Sequence, residues 1–399
     1  MPMAGFDRRK DPSDGILDEL FVSVLALEDG EGKCFLACSF DLLGVDSQLC
    51  AMVRDAVCGA CPVTEDRIWV SSTHTHSGPS GIYHGGATYD ADYVAHVCAQ
   101  AAAAATAALA DLAEATPQFA KTHAVGVSSL RNMGREGAEF PMPLYITRFD
   151  RATDTLAFCI FVCHPTVLDE KNTKYSKDIP GAAAAILPEN ASCLFWNAAC
   201  ADLSTRFTRR ASDYAELQRI GGIMGEAIRD ASYETMAEFG KRITTAQQDI
   251  FLSRAASLDG EARNELLDAL RKKAAECTDP QALREYDSRI AVLERVSVAA
   301  EKNRRIRVAS VDFGPFALVS LPFEVDHKDG DGIEAILTEI AQKPVYLLCY
   351  TGGYDGYLPS GKPLSVDSSY EDIASRYLPE SREQVWECAK QCVMQAKQV

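Results

Sequence analysis

The chain is 399 residues long and 47% hydrophobic, with 57 acidic against 40 basic residues and a formal net charge of −17. That size allows a large buried core and, by length alone, two or three domains. A field of this sign repels phosphate backbones and anionic membrane surfaces, so nucleic acid is excluded as a general partner; the one basic cluster, Arg206, Arg209 and Arg210, reads as a solvated helix start or an anion contact.

Met1 to Asp14 carries charges where a signal peptide needs an apolar stretch, and no run reads as the roughly 20 apolar residues of a membrane span, so no integral membrane segment is expected and the setting is read as cytoplasmic. Strand, helix, strand follows: Cys34 to Phe40, a helix from Ser47 to Val57 with Asp46 as N-cap and Gly59 as its stop, then Ile68 to Ser72. Cys58-Gly59-Ala60-Cys61 has dithiol spacing, but it ends a helix and no second pair completes a zinc ribbon; Cys388 and Cys392 are only a helical i, i+4 pair. Cys38, Cys159, Cys163 and Cys193 lie in apolar patterns and read as buried free thiols of a reducing compartment. An alanine-rich helix, about Asp90 to Leu112, should pack on a sheet.

Strands are predicted at Gln118 to Ser129, Pro143 to Asp150, Leu156 to Cys163 and Ser192 to Trp196, then a long helix near Ser212 to Phe239. Residues 258 to 303 are highly charged, with Leu283, Tyr286, Ile290 and Leu293 at helical spacing, and read as an inserted helical hairpin; Asp279-Pro280 opens its second arm. A solvated structural arm is preferred there over a binding role. Arg304 to Phe313 and Phe316 to Leu321 return to the sheet through Gly314-Pro315, and a helix near Arg382 to Gln398 ends the chain. No repeat or flexible linker separates independent units. The expected fold is α/β, one mixed-sheet catalytic domain over residues 1–399 with helices packed on the sheet and the hairpin inserted.

Three of these strands end in residues that can hold a metal. Ser72-Thr73-His74-Thr75-His76-Ser77-Gly78-Pro79 puts two imidazoles on one side of a strand end, Cys163-His164-Pro165 supplies another, and Leu321-Pro322-Phe323-Glu324 a carboxylate. Two histidines and a glutamate suit a catalytic zinc that keeps an open position. Singly, each also reads as a hydrogen-bonded core histidine or a solvated strand end.

Over nearly its whole length the sequence resembles the neutral, non-lysosomal ceramidase family of zinc-dependent amidases. The matching stretches are Pro2-Met3-Ala4-Gly5-Phe6, Phe40-Asp41-Leu42-Leu43-Gly44, Thr73 to Pro79, His164-Pro165-Thr166, Ala201-Asp202-Leu203-Ser204, Leu321 to Glu324 and Gly353-Tyr354-Asp355-Gly356-Tyr357. The resemblance implies a zinc ion among His74, His164, Glu324 and Tyr357, with His76 beside it as an acid/base or oxyanion group. It implies Arg131, or failing that Arg135, in the pocket, and Ser204 as catalytic serine with Asp202 beside it. The family's Gly-Asp-Val-Ser-Pro-Asn reads here Ala201-Asp202-Leu203-Ser204-Thr205-Arg206, so Ser204 stands as a nucleophile, a substrate-binding hydroxyl or a turn serine. The expected activity is hydrolysis of a linear amide, ceramide or a smaller N-acyl compound, since the sequence ends without the family's immunoglobulin-like domain. The competing readings are a metal- or ligand-binding homologue without turnover, and a redox role for Cys58 and Cys61.

Overall fold

Three parallel strand pairs, each bridged by a helix, organise the protein in a computed structural model that describes residues 1–6, 8–79, 90–131, 137–254, 260–295 and 303–398. The first third contains β1 (Gly15–Ile16), β2 (Val22–Glu28), β3 (Cys34–Phe40), α1 (Ser47–Ala60), β4 (Ile68–Ser72) and α2 (Ala91–Ala110). Then come β5 (Thr116–Leu130), β6 (Glu139–Asp150), β7 (Thr155–Phe161), β8 (Lys174–Tyr175), α3 (Ile179–Ala184), β9 (Ala191–Asn197), β10 (Leu203–Ser204) and α4 (Tyr214–Arg229). The last third holds β11 (Glu234–Thr235), β12 (Thr244–Ser253), α5 (Gly260–Glu276), α6 (Pro280–Arg295) and β13 (Asn303–Asp312). It closes with β14 (Ala317–Ser320), α7 (His327–Ala341), β15 (Val345–Leu348), α8 (Tyr370–Ala374) and α9 (Ser381–Gln398).

The sheets have the strand orders β2-β3-β4, β10-β5-β6-β7-β9 with β11 on β5, and β12-β13-β14-β15, while β1 and β8 form a small parallel pair. Each large sheet is mixed: β3/β4, β7/β9 and β14/β15 are parallel and the other ladders antiparallel. The fold is therefore α/β with helices on mixed sheets. Parallel strands need a crossover, and α1, α3 and α7 lie in the three connections. Covered on both faces, β4 is buried throughout and reads as an unbroken run of apolar and small residues.

The sheets meet at their strand ends. Asn197, fully buried at the end of β9, donates from Nδ2 to Cys163 O (2.9 Å) and Thr73 O (3.4 Å), and its carbonyl accepts Cys349 N–H at 3.0 Å. Replacing it with alanine would orphan buried carbonyls from two sheets, at about 1 to 3 kcal/mol. Ser71 and Thr351 add a bridge between the first and third sheets, with hydroxyls 2.8 Å apart.

Several sequence boundaries shift for physical reasons. Asp46 caps α1 through Leu49 N–H, but the helix runs past Gly59 to Ala60 and ends at an extended Cys61. The predicted helix over 212–239 covers only Tyr214–Arg229, because Asp213 caps it late and the chain leaves for an edge strand on β5. Helix α2 is 20 residues long with a mean hydropathy of 1.3, so by length and composition it is apolar enough to cross a membrane, contrary to the sequence reading. Alanine accounts for that value, and Val94, Val97, Ala101 and Ala105 pack toward α1 and β2.

The predicted hairpin corresponds to α5 and α6, joined through Cys277 to Asp279, with an Asp279 carboxylate oxygen accepting Ala282 N–H at 3.4 Å. Leu266, Leu270 and Leu293 bury themselves with Ile373 of α8. Beyond a structural arm, α6 also forms a wall of a cavity through Arg284, Glu285, Ser288 and Arg289. All fourteen cysteines are free.

Candidate metal centre

The parallel pairs point their carboxyl ends at one place, where α/β sheets generally bind ligands. His74 and His76 follow β4, His164 follows β7, Ser204 lies in β10 beyond β9, Glu324 follows β14 and Tyr357 follows β15. Strand alternation does not bring the first two histidines together, since β4 stops at Ser72. Their approach comes from a turn in which His74 takes a left-handed φ of 67°, placing His74 Nε2 3.2 Å from His76 Nε2.

Backbone carbonyls fix the tautomers. His74 Nδ1 donates to Leu43 O at 2.7 Å, and His164 Nδ1 to Cys200 O and Leu203 O, both at 2.9 Å. Each Nε2 is thereby left with a lone pair. Both face Glu324 Oε2, at 3.5 Å from His74 and 3.1 Å from His164. Glu324 Oε1 accepts the Tyr354 hydroxyl at 2.7 Å, and the His74 ring stacks on Tyr350 with centroids 4.2 Å apart. Burial pushes His74 down to about 3 and His76 well below the ordinary imidazole value, so both rings are neutral at pH 7. Burial raises the Glu324 carboxyl, while positive charge at His74 and His164 and the Tyr354 hydroxyl pull it down, so the carboxylate form goes with a cation held at the imidazoles, proton or metal.

Among the described residues no lysine or arginine forms an ion pair with this carboxylate, which faces both Nε2 atoms, and His76 Nδ1 has no partner. Nitrogen and oxygen donors of this kind fit a divalent transition ion. His74, His76 and His164 offer nitrogens within 4.8 Å of one another. Each metal-facing imidazole also has the carbonyl partner that such ligands usually have.

Tyr357 lies beside Glu324 through a parallel bridge, and its hydroxyl accepts from Arg131 Nη2 at 3.1 Å. Arg131 is held by Glu371 at 2.7 Å, and its N–H donates to Asp202 O. Arg135 lies outside the described residues. Ser204 lines the cavity, and its Oγ accepts Arg206 N–H at 3.3 Å, a local turn bond; among the described residues no base takes its proton. Asp202 is turned away from the imidazoles: its carboxylate accepts His327 Nδ1–H at 2.5 Å and His327 N–H at 3.0 Å, pinning the Ser204 loop to the start of α7.

Sequence reasoning missed Tyr354, His327 and Glu371. Tyr354 carried a signal, because it lies in the same Gly-Tyr-Asp-Gly-Tyr stretch as Tyr357. The other two act through contacts across 125 and 240 residues that no local pattern encodes. Above the imidazoles opens a cavity of about 1190 Å³, lined by His76, His164, Arg131, Ser204 and Tyr357 and walled by α6.

No protein-family profile matches the sequence, and no curated protein is significantly similar to it. Solved structures do share its fold. A neutral ceramidase from Pseudomonas aeruginosa superposes with a TM-score of 0.76 at 15% identity, covering 100% of this chain and 72% of that one. A ceramidase complexed with C2 superposes with a TM-score of 0.74 at 14% identity, covering 99% of this chain and 72% of that one. The chain thus has the neutral ceramidase fold.

Proposed function

We propose that this protein is a zinc-dependent hydrolase that cleaves the linear amide of an N-acyl compound. One observation carries the reading: two buried imidazoles, each fixed at Nδ1 by a backbone carbonyl, turn their Nε2 atoms to a buried glutamate beside a large cavity, in a fold shared with ceramidases. His74, His164, Glu324 and Tyr357 would hold the metal. When bound, zinc supplies Lewis-acid polarisation of a carbonyl and acidifies water at neutral pH.

The residues around it divide the remaining work. Arg131, held by Glu371, keeps a fixed positive charge where the carbonyl oxygen becomes negative, the placement that makes such stabilisation effective. Neutral His76 takes up the proton of the attacking water and returns it to the departing nitrogen. Ser204 orients the substrate rather than attacking it, because among the described residues its hydroxyl has no base in place. Asp202 is a positioning residue that acts through His327.

The test joins metal analysis to hydrolysis of N-acyl amides ranging from short acyl groups to ceramide. The expected result is zinc near one per chain with cleavage of some member, and loss of zinc and activity together in His164→Ala. Ser204→Ala should keep measurable turnover. Full activity of metal-free protein would overturn the scheme, and a trapped acyl-serine would overturn the role given to Ser204.

A further inference from the structure

The cavity that opens on the metal centre has the wrong charge for the protein around it. The chain carries −17 overall, yet the described wall of this cavity is predominantly basic. Arg8, Lys10 and Arg284 line it and have no ion pair among the described residues, and Arg209 spends its guanidinium on the neutral carbonyls of Thr166 and Val167. Of the acids in the described lining, Glu170 has no ion pair among the described residues, and the other two are committed. Glu285 lies between Arg206 at 3.7 Å and Arg289 at 3.6 Å, and Asp367 is bound by Lys273 at 2.6 Å. Burial and then the Arg131 charge press the Arg206 guanidinium below its ordinary value, as crowded cations do to one another.

Uncompensated cations in a confined cleft focus a positive field and raise the local concentration of anions, even on an acidic protein. A site for an uncharged lipid would be lined mainly by apolar side chains. Apolar surface among the described residues makes up only about half of the lining, from Phe6, Phe207, Pro280, Ala291, Tyr357 and Tyr370, enough to receive an acyl chain but sharing the cavity with the cations. The cations also come from three separate parts of the fold: the N-terminal segment, the loop after β10, and α6. Convergence from three segments makes a solvated helix face an insufficient account.

We propose that the substrate is an anionic N-acyl amide, carrying a carboxylate or phosphate that Arg206, Arg209 and Arg284 receive while the amide lies at the metal centre. The inference rests on the amidase reading and narrows its substrate class. Guanidinium forks suit both anions.

Three amides with one acyl chain test it: N-lauroylglycine, N-lauroylethanolamine and the O-phosphate of the latter. At least one anionic member should exceed the neutral one in kcat/KM by about ten- to a hundred-fold, the effect of one or two charge-assisted hydrogen bonds. Comparing the carboxylate with the phosphate identifies the anion. That ratio should shrink as salt rises from about 0.05 to about 0.5 M, and it should collapse in the double variant Arg206→Gln, Arg284→Gln. Equal hydrolysis of all three, or a ratio indifferent to the double variant, overturns the inference. If none is cleaved the amidase reading falls, and calorimetric binding of the three compounds to the intact protein decides this inference separately: anions tenfold tighter support it, equal affinities refute it.

Discussion

Removing a single hydroxyl, Tyr354→Phe, probes the metal centre without touching a proposed ligand. Tyr354 donates to Glu324 Oε1 at 2.7 Å, so it both fixes the carboxylate and sustains its charge. A hydrogen bond to a charged, buried group contributes about 1.5 to 3 kcal/mol. Through the carboxylate this becomes about a 10- to 100-fold loss of zinc affinity, the usual effect of removing a ligand's supporting partner. The assay is competition with a chromophoric chelator on metal-stripped protein. Tyr350→Phe is the control: Tyr350 stacks on His74 and its hydroxyl meets Cys200 Sγ at 3.2 Å, so losing that hydroxyl should change zinc affinity by no more than about twofold, because the stack survives. Unchanged affinity in Tyr354→Phe, or an equal loss in both variants, would refute the reasoning.

The buried Asp202–His327 pair makes stability pH-dependent. Burial opposes both charges, but the mutual hydrogen bond raises His327 above 6.5 and lowers Asp202 below 3.8. The imidazolium contribution is therefore full below about pH 6.5 and fades as pH rises through the elevated value, while the carboxylate contribution fades as pH falls through the depressed one. Urea titrations of His327→Gln should show a loss of about 3 to 5 kcal/mol between those limits and a flatter alkaline limb; a parallel curve would contradict the pairing. Gly5 has φ 100°, and a Cβ there would sit 2.5 Å from His76 Cγ. Gly5→Ala should thus displace His76 and lower kcat by about 100-fold with zinc stoichiometry unchanged; wild-type kcat would remove His76 from the chemistry. Burial raises the pKa of the exposed Cys58 thiol, and Cys61 Sγ meets Thr106 Oγ1 at 3.5 Å. Diamide should therefore leave both thiols titratable, and a disulfide between them would revive the redox reading.

Much of this site was legible in the chain because its parts are local. A run of apolar and small residues that gives way to a histidine near a proline announces both burial and a bend, which is how β4 with His74 and β7 with His164 stand out. Asp46, Asp90 and Asp279 likewise mark helix starts through their own side chains. What escaped depends on neighbours that only folding supplies. Strand β12 sits at a sheet edge, half-covered by α9, so Thr244 to Ser253 mixes polar and apolar residues without a clean period. The cavity face of α6 looked like any solvated helix face, because charge patterning does not say what stands opposite. Nothing in Asp326-His327-Lys328 discloses a partner 125 residues earlier.

His74, His164 and Glu324 each follow a strand of a different sheet, and that arrangement bears on biosynthesis. The ribosome releases His74 and His164 well before Glu324, which trails His164 by 160 residues. A growing chain therefore displays imidazoles before it owns the carboxylate that would complete the set. Copper outcompetes zinc at such nitrogen donors on raw affinity. Until the third sheet docks, the identity of the trapped ion is governed by which metal the cell keeps available rather than by any selectivity of the finished protein.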